Sequence, residues 1–288
     1  METSVTKPET EGKPVRIDLA QARSALEAAA GRTAALLDSI PDGYLPVTAS
    51  EWTVGEVGAH LVVALQALTQ AVNGSFDAVS PYIPDTGAFP DRLAAVTAST
   101  LELVPERHPG ALATLVLDAA QTFLEATAGR PPDESVRTPW YGPRATLSLG
   151  VATCSLVAEQ VIHGYDIART VGRPWPISTA DALLILPVAV AMIPLVVNSE
   201  TASGHTASYQ VHVRGGPRFV VRFRDGVAVV ERAVGQVVDC RLSADPGDLM
   251  LVIYGRIGQW RPIVSGRLRV WGRKPWLGLR FKSLFLNP

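Results

Sequence analysis

Apolar residues recur three and four positions apart from Ile17 to Leu37, in an Ala- and Leu-rich stretch whose period predicts a first helix. A second helix is bounded by its own signals. Thr53 is placed as an N-cap, Glu56 three positions on completes a capping box, and Asn73-Gly74 ends the run. Helical period returns over Phe89–Leu103, after His108-Pro109-Gly110, and over residues 147–172, where Gly172 and Pro174 stop it. Residues 75–90 and 130–146 carry the Pro and Gly of long loops. Helices joined in this way predict a helical bundle.

The pattern changes near residue 175. One more helix is expected over 179–197. Then ASYQVHVRGGPRFVVRFRDGVAVVERA alternates as strands, with turns at Gly215-Gly216 and Asp225-Gly226. Val237–Leu242 and Val264–Val270 read as further strands, Asp245-Pro246 opens a helix through Tyr254, and PWLGLRFKSLFL reads as a closing helix. The expected organisation is a disordered tail over 1–15, an all-α bundle over 16–175, and an α+β domain with an antiparallel sheet over 176–288.

Composition narrows the function classes. Of 288 residues, 47% are hydrophobic and 18% charged, enough to build cores for two domains. The net charge of -1 supplies no global positive field, so no nucleic-acid partner is expected. The basic C-terminus, Arg267 to Lys282 with Trp271 and Trp276 interleaved, comes with no recognised nucleic-acid motif. The strongest apolar run, Ala182–Val197, is cut by Pro187 and Pro194 and falls short of the roughly 20 residues that span a bilayer. No membrane partner is therefore expected, and the polar start, lacking an export signal, points to the cytoplasm. That apolar run can close a domain interface or a dimer, so monomer and homodimer both stay open. The two cysteines, Cys154 and Cys240, cannot make a disulfide framework or a Cys-rich zinc site and read as packing.

Candidate chemistry concentrates on the fifth helix. Glu159 and His163, four apart, share one helical face and can chelate one ion, and Asp166 lies on the same stripe, placed to orient an imidazole. His60 sits in the apolar setting GAHLVV on a helix that can pack against this one. Two imidazoles and a carboxylate are a ligand set for catalytic zinc, and they also suit Fe, Ni, Co or Mn. A helix ion pair and a core histidine bonded to a carbonyl explain the same residues. Arg218, Arg222 and Arg224 share a strand face, either solvated or an anion clamp. Trp140 and Tyr141 can lid a pocket or plug the bundle end. No Ser-centred elbow and no Walker or dinucleotide fingerprint is present.

The runs WTVGEVGAH at 52–60, TPWYGP at 138–143 and AEQVIHGYDIA at 158–168 resemble the mycothiol-dependent maleylpyruvate isomerase family, part of the DinB-like group of four-helix metal bundles. The resemblance covers about 15–175. It implies that His60, Glu159 and His163 are the metal ligands, zinc foremost, with Asp166 behind them. It also implies mycothiol as cofactor, with Trp140 and Tyr141 beside it, and a catalytic arginine from the second domain, for which Arg222 and Arg224 are the candidates. DCRLSADPGDL, SGRLRVWG and FKSLF are similar to sterol-carrier-like domains. The implied activity is thiol S-transfer or isomerisation of a small electrophile. Two other readings stay open: a carrier holding an apolar ligand, and a metal-dependent hydrolase that needs no thiol.

Overall fold

The computed structural model describes residues 17–286 except 49, 85 and 88; the tail expected over 1–15 lies outside them. Four long helices form the N-terminal bundle: α1 (Leu19–Asp38), α2 (Val54–Val72), α4 (Pro109–Ala126) and α5 (Leu149–Thr170), with α3 (Phe89–Ser99) in the connection between α2 and α4. α1 and α2 each pack against both α4 and α5. The sequence supplies the seams. Val57, Leu61 and Leu65 on α2 and Leu112, Val116 and Phe123 on α4 follow helical spacing and are fully buried. Truncating any of these leucines to alanine costs about 2–5 kcal/mol.

The capping box at α2 is formed. The Thr53 hydroxyl accepts from the Glu56 N–H (3.3 Å), and the Glu56 carboxylate accepts from the Thr53 N–H (2.8 Å). Ser148 caps α5. α5 touches α1, α2 and α6 (Thr179–Met192), so most of its surface is covered and any charge on it needs a partner. Gly164 is required here by close approach: a Cβ would collide with the Trp175 ring, whose indole N–H donates to the Val161 carbonyl at 2.9 Å.

The C-terminal domain is built on β3 (Ala207–Val213), β4 (Arg218–Arg224), β5 (Val227–Arg232), β6 (Cys240–Ala244) and β7 (Leu268–Gly272), in the order β5-β4-β3-β6-β7. Three of its pairings are antiparallel, but β3 and β6 run parallel at the centre, with Tyr209 opposite Cys240. α7 (Pro246–Ile253), α8 (Trp260–Val264) and α9 (Trp276–Arg280) complete the domain. Asp245 caps α7, accepting from the Gly247 N–H at 3.2 Å.

Several boundaries differ from expectation. A two-stranded hairpin, β1 (Ser135–Arg137) with β2 (Thr146–Ser148), occupies the predicted 130–146 loop. The third helix tightens into a 3-10 segment at Thr100–Leu103, as does the sixth at Ile193–Leu195, where Pro194 sits. The strand expected from Val264 begins at Leu268, because residues 260–264 coil into α8. Among the described residues no helix is long and apolar enough to cross a membrane.

Candidate metal centre

α2 and α5 bring three donors to one point. The Nε2 atoms of His60 and His163 lie 3.1 and 3.3 Å from the same Glu159 oxygen, Oε2. One ligand atom from each residue falls within 4.8 Å of the others. His60 is 7% exposed, and its ring meets Trp52 at 5.2 Å and His163 edge-on at 5.1 Å. This donor set fits a divalent cation: two imidazole nitrogens and a carboxylate converge from rigid helices, and the cluster can bind such an ion.

Behind the cluster lies Asp166, 2% exposed, with Oδ2 3.4 Å from His163 Nδ1. Once the ring is neutral, a proton held at Nδ1 by Asp166 leaves the Nε2 lone pair for a cation. Asp166 also accepts from Arg256, at 3.0 and 3.1 Å from Nε and 2.7 Å from Nη2. Arg256 comes from the second domain. α7 ends at Gly255 (φ 73°) in a Schellman turn, the Arg256 N–H donating to Leu251 O (2.8 Å) and the Gly255 N–H to Val252 O (3.2 Å). That turn aims the guanidinium back at α5.

The charges are tightly coupled. Burial pushes the Glu159 carboxyl up, but hydrogen bonds from His163 and His60 outweigh it and hold it well below the usual range. Burial pulls His163 down, yet Asp166 and Glu159 raise it to about 9. Asp166 is penalised by burial and still lowered, by His163 and Arg256. Burial pushes the Tyr141 and Tyr254 hydroxyls up, with the Glu159 charge adding to it.

These groups open into a cleft of about 340 Å³ whose walls include Trp52, Tyr141, Tyr254 and Arg256. Tyr141 lines it directly. Trp140 lies beside a smaller adjoining cavity that it shares with Tyr141, His60 and Glu159. Arg222 and Arg224 are not among the lining residues. Arg222 is engaged in a two-point ion pair with Glu231 of β5 (2.8 and 3.1 Å), and Arg224 is exposed at the end of β4. The second-domain arginine at this cleft is Arg256, which sequence reading passed over. Its one local signal was the helix stop at Gly255. Cys154 and Cys240 are free and buried, their thiols pushed up to about 12 and about 11, so neither is a ready nucleophile.

A four-helix bundle carrying a His/Glu/His cluster, with an α+β domain beside it, defines a DinB-like fold with a candidate metal site. The family model described as the mycothiol maleylpyruvate isomerase N-terminal domain matches residues 21–168, and this chain belongs to that family. The SCP-2 sterol transfer family model matches residues 197–285. A crystal structure of the mycothiol-dependent maleylpyruvate isomerase superposes with a TM-score of 0.52 at 15% identity, covering 84% of this chain and 91% of that one. A histidine-to-alanine mutant of that enzyme gives 0.52 at 14%, covering 88% and 93%. At these identities the likeness is one of fold. No curated protein matches the chain.

Proposed function

We propose that this protein is a metal-dependent thiol S-transferase or isomerase, using mycothiol or a similar low-molecular-weight thiol on a small electrophilic substrate. The observation that carries the reading is the convergence of His60 Nε2, His163 Nε2 and the Glu159 carboxylate at one point in an open cleft. His60, Glu159 and His163 would hold a divalent ion there, zinc by preference, and that ion would supply the positive charge that lowers a thiol's pKa. Asp166 fixes the His163 tautomer. Trp52 and Tyr141 supply aromatic walls to the cleft beside the cluster. Arg256 already donates to Asp166 and, through Nη1, to the Tyr254 carbonyl at 2.6 Å. Its guanidinium has donors beyond these bonds for a substrate carboxylate or enolate.

Metal content by elemental mass spectrometry, on protein purified without an affinity metal, tests the site. About one ion per chain is expected in the wild type and none in His60→Ala. Turnover of an electrophile panel should require added thiol and vanish in the same variant. Metal retained in His60→Ala, or full turnover without thiol, overturns the proposal.

A further inference from the structure

A second cavity, of about 80 Å³, lies in the C-terminal domain. Its walls are apolar almost throughout, with Phe219, Leu242, Ala244, Ile253 and Phe281 among them. Two residues line this cavity and the metal cleft alike: Met192, at the end of α6, and Tyr254, just past α7. Both are half-buried. Methionine is the most readily rearranged of apolar side chains, with an unbranched thioether and three rotatable bonds. The chamber that holds the three candidate ligands and a smaller, more apolar one therefore meet across two side chains, one of them easily displaced.

Resting on the function proposed above, we infer that the electrophilic substrate is amphipathic. Its reactive head lies among His60, Glu159, His163 and Arg256, and a short alkyl tail passes Met192 and Tyr254 into the apolar cavity. The cavity sets the tail's length. A dry apolar cavity of about 150 Å³ admits benzene, so about half that volume admits a tail of about three or four carbons. Tyr254 and Met192 are then specificity-determining residues rather than catalytic ones.

Straight-chain alkanethiols from ethanethiol to octanethiol are the probe, each offering a metal-seeking head and a tail of set length. Calorimetric dissociation constants are measured on the full-length zinc-loaded protein. Each methylene that enters the cavity should tighten binding by about fourfold, and the gain should stop once the cavity is full. Ala244→Leu and Ala189→Leu, which fill the cavity from β6 and from α6, should each abolish the chain-length gain relative to ethanethiol. Tyr254→Ala should extend the gain to longer chains. A flat series in the wild type, or a gain that survives in whichever cavity-filling variant folds, overturns the inference. The cobalt-loaded protein keeps the two readings separate. A thiolate-to-cobalt absorption band with a flat series rejects the tail alone. A chain-length gain without the band upholds the tail and rejects the metal-bound thiol.

Discussion

Replacing Asp166 by asparagine keeps the shape of a nearly fully buried side chain and removes its charge. Asp166 stands between His163 Nδ1 (3.4 Å) and the Arg256 guanidinium (2.7 Å at Nη2). The variant therefore weakens two things at once. First, it strands a guanidinium that is 14% exposed. Removing one partner of a buried ion pair costs about 3–5 kcal/mol, and because Arg256 keeps its bond to the Tyr254 carbonyl we expect about 2–4 in the metal-free protein. Second, it loosens the His163 ring, and the loss of such a supporting hydrogen bond lowers metal affinity by about 10–100-fold. Denaturant unfolding of the metal-free protein reads the first effect, and competition with a chromophoric chelator reads the second. Arg256→Gln and the double variant complete a cycle. Removing both charges should cost less than the two single losses together, with a coupling of about 1.5 kcal/mol or more, well outside the roughly 0.5 kcal/mol expected of independent sites. Additive stabilities together with an unchanged metal affinity would refute the argument that the second domain supports the metal centre through this pair.

Two further outcomes follow from the same site. His163 is raised to about 9 in the metal-free protein, so it carries a proton at pH 7 that must leave before Nε2 can bind an ion. Titration calorimetry in buffers of different ionisation enthalpy should find close to one proton released per ion bound at pH 7, and the apparent affinity should rise about tenfold per pH unit until near pH 9; no proton release contradicts the coupling. In the absence of metal the sign reverses. A group raised on folding stabilises fully below its unfolded pKa, about 6.5, so His163's contribution is lost as pH rises through about 9. Arg222→Ala, by contrast, should leave metal stoichiometry and turnover unchanged and cost at most about 1 kcal/mol, the ceiling for a partly exposed pair such as Arg222–Glu231. Loss of turnover in that variant would return the catalytic arginine to β4.

The contrast between Arg222 and Arg256 also shows which parts of this molecule are written locally. Glu159, His163 and Asp166 were legible because helical spacing alone puts them on one stripe, and His60 because a capped apolar helix made its imidazole conspicuous. The four bundle helices were legible for the same reason: each carries its own period and stop. The parallel β3–β6 pairing was not, since Tyr209 and Cys240 are joined by a register that no local turn specifies. Nor was the β1–β2 hairpin, whose three-residue strands are too short to show alternation. Arg222 drew notice through the period-two pattern of RFVVRFR, a signal of strand geometry, and its charge is taken up by Glu231, placed diagonally across on β5. Arg256 has no periodic pattern to mark it. Its position depends on a glycine that ends α7 and on the docking of that turn against a buried aspartate 90 residues earlier in the chain. A residue recruited across a domain interface is selected by where the turn points, so its neighbours in sequence carry little of the information. A buried carboxylate has more acceptor capacity than one neighbour on its own helix can fill: His163 takes one side of Asp166, and the remainder is met from the second domain by Arg256.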